Sequence, residues 1–425
     1  MLENLLSFFD RVVVLNLQDR SDRWNRFLRS LPSDWPFRAP LRFPAVRGDV
    51  NSTPSWWNES PGAWGCYQSH AQVIRDAIRD NLDSILILED DAIFREDFAV
   101  NLRQFLRELP IDWSMIYLGG EHIQWESGLP ERISENVYRP YNVNRTHGYA
   151  IRGQEMMKAI AHHLEPAEIE KSTHHIDHHL GEFQKATKSR GIYVPKKWLI
   201  GQSGGASDVA TWKTSATFFA DSYHFVEPTI TKHLVFVLSP VFPLSEHGAK
   251  IIRSLGIPLK KGDPIQQSNN PRQVVMNDSG SVVDASFEHL ALALFDAHTL
   301  EPRVATEKRR ALIRIWSSVH CSSFDKACEW LCLAHPLLPL VTVDIANVWQ
   351  HFRVVLVDSK ENEALNWICQ QRRDWSIDQC VTYVRTMIEC CHLAEQLFPR
   401  QVICISQSEL NDSPKTVAEK IKYQL

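Results

Sequence analysis

A chain of 425 residues with 44% hydrophobic and 23% charged residues has the composition of a folded globular protein and the length of two domains. Its formal charge of -5 gives no basic field for a phosphate backbone, and no Lys/Arg-rich run stands out, so nucleic acid is excluded as a partner class. Nine cysteines without paired C-x-x-C spacing, and an N-terminal MLENLLSFFDR with no basic n-region, predict no disulfide framework, no signal peptide and no transmembrane segment; the expected setting is cytoplasmic.

Taken in chain order, RVVVLNL (residues 11–17) is a β-branched run that predicts a buried strand, and DRSDRWNRFLRSL follows with helical spacing of Trp24, Phe27, Leu28 and Leu31. SPGAWGCYQSHAQVIRDAIRDN opens as a turn and continues as an amphipathic helix with Val73, Ile74, Ala77 and Ile78 on one face, and SILILE is a second buried strand. FAVNLRQFLREL predicts a helix, WSMIYLGG a strand ending in a glycine turn, and VYRPYNVNRTHGYAIRGQEMMKAIAHHL a strand pair running into a helix. This alternation indicates an α/β layered fold with active residues on loops at strand ends. Around residues 204–232 the texture turns rich in Ser, Thr and Gly, which predicts two domains, 1–225 and 226–425. Beyond it HLVFVLSPVF, HGAKIIRSLG, RVVLVDSKENEALNWI and QVICISQSEL repeat the strand and helix alternation of a second α/β domain.

The stretch SILILEDDAIF ends a buried strand in three adjacent carboxylates, Glu89, Asp90 and Asp91. Like charges so close are destabilising unless a cation or hydrogen-bond donors offset them. Mg²⁺ or Mn²⁺ does so with oxygen ligands, is commonly held by one or two carboxylates, and leaves positions free for substrate phosphates. The plain alternative is a solvated acidic turn. Glu121 and His122, just after Gly119 and Gly120 at another strand end, are placed by the pattern to face the same cleft.

VVVLNLQDRSDRW, PGAWGCYQSHAQVIRDA, ILILEDDAIF, THGYAIRGQEMMKAI, HIDHHL and QSGGASDV stand in an order and spacing that resembles the family 25 glycosyltransferases, a group that includes lipooligosaccharide and collagen galactosyltransferases. The resemblance covers roughly the first half, and GCYQSH followed by LEDD is its most specific part. It implies a GT-A type nucleotide-sugar domain that moves a hexose, typically galactose from UDP-galactose, with inversion. Glu89 and Asp91 then resemble the family's metal-binding acidic motif, with Asp90 on the ribose or metal side. Asn16, Arg20 and Arg23, in the loop after the first strand, fall where such folds hold the nucleotide, and an arginine there can fork onto phosphate or stack on a base. Ser69 and His70 are read in the turn that opens a helix, where backbone N–H groups favour a phosphate or hydroxyl ligand. Gln202 and Asp208 belong to the QSGGASDV stretch and are further donor-site candidates. Inversion in a single displacement requires a general base on the acceptor hydroxyl; Asp177 matches the family's aspartate in HIDHHL, with Glu121 and Asp208 as alternatives.

His174, His175, His178 and His179 have the i, i+4 spacing of zinc ligands but lack the third ligand or carboxylate base of known zinc motifs, so capping or solvated histidines are expected. Trp56, Trp57 and Trp64 can stack on sugar or uracil, or pack the core. In the second half, HLVFVLSPVFPLSEHGAKIIRSLGIPL, NNPRQVVMNDSG and the two later strands remotely resemble a sulfotransferase-like domain. SPVFPLSEHG departs from a phosphate cradle: it has two prolines, no basic residue and Glu246, and Asp358 stands where an arginine is expected. The expected function is therefore a metal-dependent inverting hexosyltransferase with a UDP-sugar donor and a glycan, lipid-linked saccharide or protein acceptor, joined to a degenerate sulfotransferase-like α/β domain. The alternative is a catalytically degenerate carbohydrate-binding or scaffold protein.

Overall fold

Six-residue β-branched and leucine runs bury both faces when sheets are covered by helices on each side, and this pattern organises the first half of the chain. The computed structural model describes residues 5–166, 174–206, 213–214, 216–257, 285–296, 299–321 and 329–424. It divides into two units, Met1–Glu227 and Pro228–Leu425.

The first unit runs β1 (Arg11–Asn16), α1 (Ser21–Ser30), β2 (Leu41–Pro44), α2 (Pro61–Arg79), β3 (Ser84–Glu89), β4 (Ala92–Phe94), α3 (Phe98–Glu108) and β5 (Met115–His122). It continues with β6 (Glu131–Arg132), β7 (Val137–Arg139), β8 (Val143–Arg152), α4 (Gln154–His163), α5 (Ile176–Ala186), β9 (Ile192–Pro195), β10 (Ile200–Gln202), the short hairpin β11 (Gly205–Ala206) and β12 (Lys213–Thr214), and α6 (Tyr223–Val226). Eight strands form one mixed sheet in the order β2-β1-β3-β8-β5-β9-β7-β6. Alternate side chains of β1 and β3 point to opposite faces. Val13, Leu15, Ile85 and Ile87 pack with Ala71, Ile74 and Ala77 of α2 and with Met157 and Ile160 of α4. Val12, Val14, Leu86 and Leu88 pack with Phe27 of α1 and with Phe98, Leu102 and Phe105 of α3. Each such Val, Leu or Ile contributes about 1.5–3 kcal/mol on burial.

The register fixes what meets at the strand ends. β1 and β3 are parallel with Leu15 opposite Glu89, so Asn16 and the acidic triplet emerge from the same edge. β8 is antiparallel to β3 with Leu88 opposite Gly148, which sets Thr146 and His147 beside that edge. β4 pairs with β10, Ala92 opposite Gln202, and so carries Gln202 to Asp91.

The second unit holds a four-stranded parallel sheet, β14-β13-β15-β16, built from β13 (His233–Leu238), β14 (Trp330–Ala334), β15 (Phe352–Val357) and β16 (Val402–Ile405). Its helices are α7 (Phe242–Ser254), α8 (Ala285–Leu294), α9 (Thr306–Trp316), α10 (Leu338–Ala346), α11 (Glu361–Gln371), α12 (Ile377–Leu397), α13 (Gln407–Asp412) and α14 (Pro414–Gln424). NNPRQVVMNDSG lies outside the described residues. Among the described residues, no helix is long and apolar enough to cross a membrane.

Candidate functional site at the ends of β1 and β3

The three acids at the end of β3 have three different surroundings. Glu89 Oε1 accepts a hydrogen bond from Thr146 Oγ1 at 2.6 Å and lies 3.2 Å from His70 Nε2. Burial alone raises the Glu89 pKa, but the hydrogen bond and charge of His70, with Thr146, outweigh it and hold the carboxyl at about 2. Asp90 is buried; its Oδ2 accepts from Asn16 Nδ2 at 2.5 Å and its Oδ1 pairs with Arg23 at 3.1 Å. Burial still leaves its pKa raised against these partners. Asp91 Oδ2 accepts from Gln202 Nε2 at 3.1 Å, and its backbone carbonyl accepts from Ser203 N at 2.7 Å. Its Oδ1 is sealed from solvent without a hydrogen-bond partner among the described residues, and burial followed by the Glu89 charge pushes the carboxyl up to about 7.

Asn16 and Arg23 serve this edge as joints. Both amide hydrogens of Asn16 are engaged, by Asp90 and by the Arg20 carbonyl at 3.1 Å, and Arg42 Nε donates to its Oδ1 at 2.7 Å. Arg23, on α1 instead of in a loop, lies 3.1 Å from Asp90 and 3.8 Å from Asp91 and supplies positive charge to the triplet. Arg20 turns to Asp22 at 3.0 Å.

Ser69 and His70 require a correction. They do not open a helix: α2 starts at Pro61, with Ser60 as its N-cap accepting from Ala63 N at 3.1 Å, so both residues lie in the helix interior with their N–H groups committed. Their side chains do the work. Ser69 Oγ donates to the Gly65 carbonyl at 2.7 Å and accepts from Val46 N at 2.8 Å. A Cβ on Gly65 would come 2.3 Å from Gly48 N, so only glycine lets the 46–48 backbone lie on the helix. His70 Nδ1 contacts Tyr149 Oη at 3.0 Å while Nε2 faces Glu89. GCYQSH thus fixes a helix against a loop and aims an imidazole at the acidic edge.

Glu121 is half-buried and pairs with Arg145 at 3.1 Å. His122, its neighbour on β5, points the other way as strand geometry demands; it is buried against Trp198 and Phe225, with Nε2 2.9 Å from Ser222 Oγ. The two therefore do not share a cleft as the sequence pattern suggested. Asp177 lies in the first turn of α5, where its Oδ1 accepts from His178 N at 2.9 Å and its charge acts on Cys66, Tyr117 and His147. Asp208 lies outside the described residues. Trp57 and Trp64 are core residues, and Trp64 stacks on Tyr67 with ring centroids 5.2 Å apart. His174 and His178 lie ring to ring, at 5.7 Å, but their ligand atoms do not join a convergent metal-binding group among the described residues.

Thr146, Tyr149 and Arg42 reach this edge without having been singled out in the sequence. A hard divalent cation fits the residues present: Asp91 offers a buried oxygen with no other partner among the described residues, and Glu89 a carboxyl kept ionised.

Residues 55–167 match the family model "Glycosyltransferase family 25 (LPS biosynthesis protein)". Procollagen galactosyltransferase 2 of Mus musculus is 26% identical over 180 residues, which is 36% of this chain and 27% of that protein. Procollagen galactosyltransferase 1 of Danio rerio is 28% identical over 177 residues, covering 36% and 29% respectively. The human protein named inactive glycosyltransferase 25 family member 3 is 27% identical over 148 residues, covering 29% and 24%. The chain thus spans about a quarter of the length of these curated relatives. A solved gluconokinase from Sinorhizobium meliloti 1021 aligns at a TM-score of 0.25 with 10% identity over 46% of this chain and 98% of its own, too distant to carry a fold argument. The matched stretch runs from the cap of α2 through the acidic triplet to the end of α4, so it is the segment bearing GCYQSH and the three carboxylates that is similar to glycosyltransferase family 25.

Proposed function

We propose that the first unit is a GT-A type transferase that moves a hexose, galactose foremost, from a UDP-sugar to a hydroxyl of a glycan, lipid-linked saccharide or protein acceptor, with inversion and with Mn²⁺ or Mg²⁺ held by Glu89 and Asp91. The observation that carries this reading is the buried Asp91 Oδ1, unpartnered among the described residues, beside an ionised Glu89, inside the stretch that matches the family. The names of the relatives supply galactose and a protein acceptor, and the family description supplies a lipopolysaccharide one. The parallel β2-β1-β3 arrangement supports the GT-A reading, since ligands of open α/β sheets sit beyond the carboxyl ends of strands.

A divalent cation bound there supplies Lewis-acid stabilisation of the charge that develops on the departing diphosphate. The residues of the chain do the rest. Gln202 orients Asp91, and Asn16 with Arg23 holds Asp90 so that the triplet keeps its shape under mutual repulsion. Asp177 takes the proton of the acceptor hydroxyl as it attacks the anomeric carbon. Glu121 is the alternative base, but its carboxylate already accepts from Arg145 Nε at 3.1 Å, which ties up one of its oxygens.

A second reading, a carbohydrate-binding or scaffold protein that no longer turns over, is favoured by relatives named inactive that match at 27–28% identity, the same level as the named transferases. The C-terminal unit is read as a sulfotransferase-like fold that transfers no sulfate. β13 passes into α7 through residues 239–241 alone, which include no glycine and no basic residue.

The purified chain, incubated with a panel of UDP-sugars and Mn²⁺, is expected to release UDP in an EDTA-sensitive manner, fastest with UDP-galactose. Asp177→Asn is expected to keep nucleotide binding, measured by calorimetry, while losing transfer. Absent turnover with intact UDP binding would favour the binding-protein reading; absent binding as well would defeat the nucleotide-sugar site.

A further inference from the structure

Cys66 and His70 are one helical turn apart on α2 and face Glu89 at the end of β3. Among the described residues, these three form the group of metal-ligating side chains whose ligand atoms converge, all within 4.8 Å of one another. We propose that Cys66 Sγ, His70 Nε2 and a Glu89 carboxylate oxygen form a binding site for a thiophilic divalent cation of the zinc class, distinct from the all-oxygen seat at Glu89 and Asp91 but sharing Glu89 with it.

The donor set decides the class of ion. One thiolate, one imidazole and one carboxylate match zinc and cobalt, whereas Mg²⁺ and Mn²⁺ favour oxygen throughout. Bond lengths of about 2.0–2.3 Å around a tetrahedral ion place its ligands roughly 3.3–3.8 Å apart. His70 Nε2 and Glu89 Oε1, at 3.2 Å, are already at that spacing, and Cys66 needs a side-chain adjustment of about 1 Å. Three protein ligands leave the fourth position open.

The surroundings are those of a held ligand set. Tyr149 Oη sits 3.0 Å from His70 Nδ1, where it can hold the ring so that Nε2 points toward the ion. Thr146 fixes Glu89 at 2.6 Å. The backbone of α2 is pinned at Gly65 by the Gly48 contact and at Ser69 by Val46, so the two helical ligands do not drift. Cys66 is half-buried as a residue, but burial, followed by the Glu89 charge, pushes its thiol well up, so an incoming cation has to displace the thiol proton. On binding, the Cys66 thiol gives its proton to buffer, and the sulfur lone pair enters the metal bond. The site itself does not depend on the transferase reading. Its consequence does: an ion at Cys66 and His70 takes Glu89 from the oxygen seat, so zinc would antagonise Mn²⁺.

The test uses the reduced, chelator-treated full chain titrated with Co²⁺, which gives a near-ultraviolet charge-transfer band only when a thiolate is bound. The expected result is one equivalent of Co²⁺ with that band, displaced by Zn²⁺. Cys66→Ser is expected to abolish the band, and Glu89→Gln to weaken Co²⁺ binding. Tyr149→Phe is expected to weaken it about 10-fold or more, the scale of losing a hydrogen-bond partner that orients a metal-bound imidazole. His174→Ala should leave it unchanged. No band in the parent protein, or a band that survives Cys66→Ser with circular dichroism unchanged, would overturn the site. Should Cys66→Ser fail to fold, Glu89→Gln and Tyr149→Phe decide the matter, because a band of unchanged affinity in both would place the thiolate elsewhere. A Co²⁺ band without UDP-sugar turnover upholds this site and defeats the transferase reading, and turnover without a band does the reverse.

Discussion

Two parallel strand ends in this chain invite comparison. In the first unit, β1 and β3 deliver Asn16, Glu89, Asp90 and Asp91 to one edge, with Arg23 within 4 Å of two of the acids. In the second, β13 and β15 are equally parallel and equally buried, yet β13 leads through Ser239, Pro240 and Val241 straight into α7. Ser239 Oγ there accepts from Val241 N at 3.2 Å and closes the turn on itself. Glu246 is not a loop residue, as SPVFPLSEHG suggested, because Pro243 in the first turn favours an early helix start; Glu246 lies within α7 and pairs with Lys250 at 3.2 Å. Asp358, just past β15, donates its backbone N–H to the Ile405 carbonyl at 2.9 Å. The same sheet geometry therefore specifies where a ligand would sit, and the side chains decide whether one does.

The largest effect that would break this comparison is on turnover. Asp91→Ala removes a buried oxygen that has no hydrogen-bond partner among the described residues and is expected to lower Mn²⁺-dependent UDP release about 100- to 1,000-fold, the scale of losing one electrostatic stabiliser of the transition state. Initial-rate assays with saturating UDP-sugar read it, and full activity in the variant would refute the seat.

Packing at the two edges differs as well. Gly65→Ala drives a methyl group toward the Gly48 backbone, which has no freedom to give, so the first unit should lose about 1–3 kcal/mol and melt several degrees lower. Gly248→Ala in α7 meets a side chain instead, Val237 Cγ1 at 2.9 Å, and a smaller loss is expected. Differential scanning calorimetry on both variants compares them; equal losses would mean that the Gly48 and Gly65 approach is not a constraint.

What the sequence disclosed and what it concealed follow the same division between local and long-range information. Buried strands, the acidic triplet and the GCYQSH motif are local patterns and were legible. The start of α2 was readable in principle: Ser60 then Pro61 is a cap followed by a first-turn proline, and Trp64, Tyr67, Ala71 and Ile74 carry the apolar spacing back from Val73. Arg42 was not legible, and Thr146 and Tyr149, though they stand in THGYAIRGQEMMKAI, could not be given a role from the sequence. They reach the site through the antiparallel register of β8 on β3 and the parallel pairing of β2 with β1, which no local pattern encodes. Asp90 was the acid with the least defined role in the sequence, and its partners Asn16 and Arg23 now make it the tie between β1, β3 and α1.

The first unit should also be the more acid-sensitive because of His122. Burial lowers its pKa to about 3, so the folded state holds a neutral imidazole while the unfolded chain titrates near 6.5. Protons then favour the unfolded state as pH falls below about 6.5, and stability drops by up to about 1.4 kcal/mol per pH unit until the folded group itself titrates. His122→Gln is expected to flatten this slope in urea melts between about pH 6 and pH 4. An unchanged slope would assign the acid lability to other groups.

The smallest expected effect belongs to the second unit. Asp358→Ala removes a carboxylate from the end of β15, where the backbone N–H donates to the Ile405 carbonyl and the side chain makes no hydrogen bond among the described residues. Stability should move by no more than about 0.5 kcal/mol, as for substitutions away from special features. UDP release should not change, since no step assigned to the first unit uses this residue. A variant that lost turnover while retaining its melting temperature would show that the second strand end takes part in the reaction, and that side-chain chemistry had been misjudged there in spite of the missing cation and missing glycines.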